Sequence, residues 1–208
     1  MATKKSLQGV IGIDEVGRGP LAGPVTVCAF YIEDEKEALK SIFKNSIRDS
    51  KKLTKDIRTN IYKTIRQKRI LKTKVEYAIS SRSAAYIDRN GLSKAITECV
   101  SSCLNSLSRK NVDIRNLPIK LDAGLKVRNI LVNQESFVKG DEKFACIALA
   151  SIMAKVHRDV YMYKLSKLYK EYSWDKNAGY GTLEHRKTIE KIGITTLHRK
   201  SFLKKFKL

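Results

Sequence analysis

Val10, Ile11 and Ile13 form a short apolar run that ends on two adjacent carboxylates, Asp14 and Glu15, and then breaks at Gly17, Gly19, Pro20, Gly23 and Pro24. An apolar run closed by glycine and proline predicts a buried strand and the turn that ends it. The β-rich stretch from Val25 to Ile32 follows at once, so the two together predict a β-hairpin. Leu39 and Phe43, four apart, predict a short helix over 34–43. Ile57, Ile61 and Ile65 predict another, with Thr54 or Ser50 as its cap. From 70 to 80, Leu71, Thr73, Val75, Tyr77 and Ile79 alternate with Lys72, Lys74, Glu76 and Ala78, the signature of a half-buried strand. Tyr86, Ile87, Leu92, Ile96, Cys99, Val100, Cys103, Leu104 and Leu107 then keep a helical period, broken at Asn90-Gly91.

The stretch from Leu117 to Gly124 repeats the opening: a short apolar strand, a carboxylate at its end in Asp122, then glycine. If the two strands are neighbours in one sheet, Asp122 lies beside Asp14. After apolar stretches at 130–132 and 136–138, a long helix is predicted to start at Lys139-Gly140-Asp141-Glu142. Phe144, Ile147, Ala148, Ile152, Val156 and Val160 give its apolar positions, with Ser151, Lys155 and Arg158 on another face. The helix dipole alone accounts for an acid such as Glu142 at that end. Residues 174–208 are basic and aromatic, with a helix expected after Thr182. No repeat or low-complexity linker divides the chain. One domain over 1–208 is expected, with 174–208 as a small C-terminal part.

Composition narrows the partner. The 208 residues hold 42 Lys plus Arg against 21 Asp plus Glu, a formal charge of +21, and these are spread along the chain. A broad basic face suits a polyanion, nucleic acid above all, although a solvated lysine-rich surface explains the charge equally well. The hydrophobic share of 42% is enough for a globular core. Cys28, Cys99, Cys103 and Cys146 show no C-x-x-C spacing and read as small core residues. No run approaches a membrane span, and Met1 to Gln8 lacks the apolar centre of a signal peptide. A cytoplasmic protein, without a membrane partner and acting as a monomer, is expected.

The chemistry centres on Asp14 and Glu15. Neighbours in a strand point to opposite faces, so the pair projects one way only if the strand is ending. Two negative charges so close raise each other's pKa unless a divalent cation or a basic partner offsets them. Around Arg18, the glycines leave backbone N–H groups open to a ligand, and the arginine offers a fork for phosphate. An acidic strand end before an ordinary loop is the plainer reading. It ranks second because Asp122 and Asp141 stand in similar settings. Lys51 and Lys52, ahead of a predicted helix, either reach phosphates or form a solvated cluster.

The ordered series Gly12 to Pro20, Asp49 to Leu53, Leu121-Asp122, Lys139 to Asp141, Ala150 to Lys155 with Arg158-Asp159, Gly179-Tyr180 and His198 to Phe202 resembles bacterial ribonuclease HII from end to end. The resemblance implies a ribonuclease H-like α/β fold: a mixed five-stranded sheet flanked by helices, with a small helical C-terminal part. It implies that Asp14, Glu15, Asp122 and Asp141 hold two divalent ions, Mg²⁺ or Mn²⁺. It implies that Gly17, Arg18 and Gly19 contact the ribose 2′-hydroxyl and a phosphate, and that Tyr180 packs on the following nucleotide. Lys51, Lys52, Lys155, Arg158 and Arg199 are candidates for phosphate contacts or for structural support. Two positions depart from the family: Asp122 is followed by Ala123-Gly124 instead of directly by glycine, and His157 stands where a smaller residue is usual. Arg18 argues against the sister ribonuclease HIII, which usually lacks that arginine.

The implied activity is hydrolysis of RNA in RNA/DNA hybrids and cleavage 5′ to ribonucleotides embedded in duplex DNA, leaving 3′-hydroxyl and 5′-phosphate ends, in the service of ribonucleotide removal. The chemistry is coherent: two cations about 3.5–4 Å apart can activate water and stabilise the leaving oxygen, and carboxylates suit magnesium or manganese better than zinc. The 2′-hydroxyl is what separates RNA from DNA. The rivals are a structure-specific DNA nuclease on the same fold and a non-catalytic basic nucleic-acid-binding module, which leaves the four acids unexplained. His185 and His198 read as hydrogen-bonded structural residues.

Overall fold

The opening strand β1 (Val10–Val16) turns at the glycine and proline loop and pairs antiparallel with β2 (Val25–Ile32), Val10 opposite Ile32 and Val16 opposite Thr26. The computed structural model describes residues 8–43, 53–67, 73–128 and 131–204. Helix α1 (Glu35–Phe43) follows, then α2 (Lys55–Arg66), whose cap is Thr54: its side chain accepts from the Ile57 amide. Strand β3 (Val75–Arg82) pairs antiparallel with β2, and α3 (Ala84–Asn90) breaks at Gly91 into α4 (Leu92–Arg109). Strand β4 (Ile119–Asp122) runs parallel to β1, and β5 (Gln134–Phe137) parallel to β4. The result is one mixed five-stranded sheet, ordered β3-β2-β1-β4-β5. The rest is helical: a 3₁₀ turn at Gly140–Glu142, α5 (Ala145–Ser166), a 3₁₀ turn at Lys170–Tyr172, α6 (Trp174–Asn177), α7 (Leu183–Ile192) and α8 (Lys200–Leu203).

Helices cover both faces of the sheet, which is why β1 and β2 read as unbroken apolar runs. On one face Ile11, Ile13, Val25, Val27, Ala29 and Leu121 pack with the buried stripe of α4. On the other, Val10, Cys28, Phe30 and Ile32 pack with the first turns of α5 and with Tyr62 and Ile65 of α2. The alternation in β3 therefore does not separate core from solvent. Val75, Tyr77 and Ile79 pack, partly buried, on the α5 side, while Ala78, expected on the polar face, is buried under α4. The first part of that predicted strand lies outside the described residues.

Helix α5 also starts later than its sequence suggests. Lys139 adopts a left-handed φ of 54°, Gly140–Glu142 makes its single 3₁₀ turn, and Phe144 is extended before the helix begins at Ala145. The first six residues of α5 are all buried because this end lies directly on β1. Gly12 makes the approach possible: a Cβ there would stand 2.1 Å from the Cys146 carbonyl carbon. Two expectations about the helix faces fail further along. Val160 is exposed, and Arg158, placed with the polar positions, is buried.

A third cluster joins Leu21 and Ala22 of the loop after β1 to Met162, Tyr172, Trp174, Ile189 and Leu203. The C-terminal segment thus packs against the loop that carries Gly17, Arg18 and Gly19. Among the described residues, no helix is long and apolar enough to cross a membrane, and all four cysteines are free and buried.

Candidate active site

Parallel pairing of β1 with β4 sets Ile13 opposite Leu121, so Asp14 and Asp122 occupy the next positions, Asp122 at the end of β4 and Asp14 within β1, which runs on through Glu15 to Val16. Asp14 shares the parity of Val10 and Gly12 and faces α5, whereas Glu15 follows the parity of Ile11 and Ile13. Asp14 is nearly buried. One of its oxygens accepts from the Glu15 amide at 2.7 Å, and the Ser151 hydroxyl of α5 bonds to it as well. Burial pushes its carboxyl up from 3.8 to about 7; the charges of Glu15 and Asp122 add to that rise, and the hydrogen bonds oppose it. Glu15 is raised too, again by burial first, while the hydrogen bond and charge of Arg18 pull it back.

Arg18 Nε donates to Glu15 Oε1. The other oxygen, Oε2, is buried without a hydrogen-bond partner. Asp122 Oδ1 accepts from the Gly140 amide at 2.9 Å, which ties the end of β4 to the 3₁₀ turn and brings the half-buried Asp141 next in line. Asp14, Glu15 and Asp122 thus lie within electrostatic range of one another, with Asp141 joined through Gly140. Among the described residues, no three Asp, Glu, His or Cys groups are gathered closely enough to hold a metal ion as they stand. The donor set is nevertheless all oxygen, two of its members, Asp14 and Glu15, are raised by burial, and one buried carboxylate oxygen is left unsatisfied. It fits a hard divalent cation.

The glycine loop is held from behind. Arg199 donates from Nη2 to Gly17 O at 2.7 Å, from Nη1 to Arg18 O at 2.9 Å and from Nε to Gly23 O at 3.0 Å. Arg158 donates from Nε to Pro24 O at 2.9 Å, from Nη2 to Ala22 O at 3.2 Å and from Nη1 to Ala178 O at 2.9 Å. Both guanidinium groups are buried, and burial, with Arg158 beside it, lowers Arg199 to about 9. Neither can reach a phosphate, so structural support is the role the structure gives them. Gly17 has φ +90°, and a Cβ there would meet Arg158 Nε at 2.6 Å and Pro24 O at 2.7 Å. The turn and its clamp therefore require each other.

Tyr180 is 43% exposed and lies against the open side of Gly19. Its carbonyl accepts from His185 Nδ1 at 2.9 Å. His185 Nε2 faces His198 Nε2 at 3.2 Å and accepts from Trp174 Nε1 at 3.2 Å, while His198 Nδ1 accepts from the Thr195 amide at 3.0 Å. Both histidines are buried structural groups, as expected, and they seat the backbone under Tyr180. Lys155 lies near solvent and pairs with Asp159 at 3.4 Å. Lys51 and Lys52 lie outside the described residues. His157 meets the Tyr62 hydroxyl at 3.4 Å, so the larger residue is spent between α5 and α2. Sequence reasoning missed Ser151 as a partner of Asp14; the available signal was a lone hydroxyl in the apolar first half of α5.

A family model described as Ribonuclease HII matches residues 11–205. A curated "Ribonuclease HII" from Shouchella clausii (strain KSM-K16) is 40% identical over 193 residues, 93% of this chain and 68% of that protein. Among solved structures, ribonuclease H2 from Pyrococcus horikoshii OT3 aligns with a TM-score of 0.71 at 24% identity, over 96% of this chain and 99% of that one. Bst-RNase HIII in complex with Mn²⁺ aligns at 0.62 and 18% identity, over 90% and 63%. At such identities the structures show the shared fold, a mixed sheet flanked by helices.

Proposed function

The chain belongs to the ribonuclease HII family and is an endoribonuclease of the ribonuclease H type, and from that premise we propose its substrate and the division of labour in its site. It cuts RNA in RNA/DNA hybrids and cuts 5′ to single ribonucleotides in duplex DNA, leaving 3′-hydroxyl and 5′-phosphate ends, so that ribonucleotides can be removed from DNA. The observation that carries this reading is the parallel pairing of β1 with β4, which sets Asp14 beside Asp122 with an unsatisfied Glu15 oxygen in range.

Asp14, Glu15, Asp122 and Asp141 would hold two divalent ions; the manganese complex of Bst-RNase HIII supports Mn²⁺ as one acceptable ion, beside Mg²⁺. Such ions, when bound, supply water activation and charge stabilisation at the leaving oxygen. The protein's own groups do the rest. Ser151 and the Glu15 amide fix the orientation of Asp14, and the Gly140 amide fixes that of Asp122. The backbone of Gly17 and Gly19 reads the 2′-hydroxyl, with Arg18 directed to the neighbouring phosphate. Tyr180 packs on the adjoining nucleotide, a contact worth about 1–3 kcal/mol. Arg158 and Arg199 hold the loop in shape from behind. Lys155 stays a candidate phosphate contact, as do Lys51 and Lys52. A single unit over 1–208, with 174–208 seating Tyr180, acts as a monomer; four free buried thiols suit a reducing cytoplasm.

The test is cleavage of a labelled DNA duplex carrying one ribonucleotide, beside an RNA/DNA hybrid and an all-DNA control, with Mg²⁺, Mn²⁺ or chelator. Cutting 5′ to the ribonucleotide that needs the cation, vanishes in Asp14→Asn and weakens about tenfold or more in Tyr180→Ala is the expected result. Equal cutting of the all-DNA control would replace this reading with a general DNA nuclease. Binding without turnover under any cation would leave only a binding module.

A further inference from the structure

A cavity of about 310 Å³ opens beyond Arg18, away from the carboxylates, between the first turns of α4 and the segment that follows β4. Arg18, Lys126 and Arg128 are among the residues that line it. Ser93 and Thr97 supply hydroxyls from α4, and no carboxylate is among its described lining residues. Gly124, two positions after Asp122, closes the side nearest the active site, where a Cβ would stand 3.4 Å from Arg18 Nη2. The cavity therefore adjoins the site through one residue, Arg18, whose Nε is engaged with Glu15.

We propose that this cavity is a second phosphate subsite, which takes a backbone phosphodiester of the bound duplex away from the cleaved bond. Arg18 is paired through Nε with Glu15, whereas Lys126 and Arg128 bring two further positive charges to a cavity with no carboxylate among its described lining residues, and an anion there would offset their repulsion. Lys126 and Arg128 are exposed side chains free to close on a ligand. The Ser93 hydroxyl adds a neutral donor, which a phosphate oxygen can accept. Occupancy would fix the duplex relative to Arg18 and so set how the ribose meets the glycine loop. Such contacts position the duplex and carry no base sequence. This inference rests on the ribonuclease reading for its ligand, but it is a statement about binding and is read without turnover.

The experiment measures binding of a short labelled RNA/DNA hybrid by fluorescence anisotropy, in chelator, across a salt series. The wild type is compared with Lys126→Ala/Arg128→Ala and with a control that loses the same charge elsewhere, Lys187→Ala/Lys191→Ala on α7. The subsite takes one phosphodiester, and each phosphate neutralised contributes close to one unit to the slope of log K against log salt, so the cavity variant should lose about 1 unit of slope while the control keeps that of the wild type. Thermal melts check that both variants are folded. An unchanged slope in a folded cavity variant, or an equal loss in the control, overturns the subsite. Failure of the wild type to cut any hybrid with Mg²⁺ or Mn²⁺ would instead overturn the ribonuclease reading and leave the binding result standing.

Discussion

Asp14 shows how far one residue can be driven by its surroundings. In the unfolded chain its carboxyl titrates near 3.8; in the fold, burial and two neighbouring acids push it up to about 7. The folded protein holds that proton more tightly, so the linked stabilisation is full below about pH 4 and is lost as the pH rises through about 7. One pKa unit corresponds to about 1.4 kcal/mol, so ionising Asp14 without a cation costs on the order of 4 kcal/mol. In chelator, Asp14→Asn should therefore stabilise the protein at pH 8 by a few kcal/mol and much less at pH 5. Urea unfolding at the two pH values measures this, and the same increment at both would show that the charge is not what strains the site. Arg18 opposes the same repulsion at Glu15, which is why the acid pair survives in a fold at all.

Elements meet here through backbone approaches that allow no side chain. The N-terminal end of α5 lies on β1 at Gly12, and this contact carries Ser151 to Asp14 and leaves the 3₁₀ turn to hold Asp122. A Gly12→Ala methyl would stand 2.1 Å from the Cys146 carbonyl carbon, a backbone atom that no rotamer change can move aside. The expected loss is about 3 kcal/mol or more, at the upper end of overpacking costs. A urea midpoint close to that of wild type would mean that α5 is free to shift and that the approach is not required. In the glycine loop, the carbonyls of Gly17, Arg18, Ala22, Gly23 and Pro24 accept from Arg158 and Arg199, and the Leu21, Ala22 and Gly23 amides donate to Gly179 and Leu197 carbonyls, which leaves the amides around Arg18 as those that can face a ligand.

Across the whole molecule, the C-terminal segment packs on Leu21 and Ala22 of the glycine loop, and a group of neutral rings holds that segment together from within. His198 is pushed down to about 4, by burial and then by His185, and His185 is lowered for the same first reason. For groups whose pKa falls on folding, the contribution is present above the unfolded value of 6.5 and is lost as the pH drops toward 4. That slope is opposite to the one from Asp14, so the two offset each other in global unfolding. The Asp14→Asn background isolates it. The sole tryptophan, Trp174, donates to His185 and reports on the cluster. Its fluorescence midpoint in urea should fall between pH 7 and pH 5; a midpoint that stays level would mean that the pair takes up no proton penalty in the fold.

The sequence by itself determined the local grammar and the reaction class. Short apolar or β-rich runs beside glycine and proline marked β1, β2 and β4, alternation marked part of β3, and a period near four marked α2 and the break between α3 and α4. The order of short motifs marked the family and singled out the four acids, because a carboxylate placed beside an apolar strand or a tight glycine turn is a local feature that must be written locally. The tertiary structure decided which distant groups meet. Pairing of β1 with β4 put Asp14 beside Asp122, 108 positions apart by their numbers. Arg158 and Arg199 stood in the sequence as candidates for phosphate contact or for structural support, because a local pattern does not report which distant groups surround a side chain. Their carbonyl partners come from 134 and 182 positions away in the chain, and only that supply makes a buried charge tolerable. Ala78 was misread for the same reason: whether the second face of a strand is core depends on the helix laid over it, and no alternation within the strand can encode that.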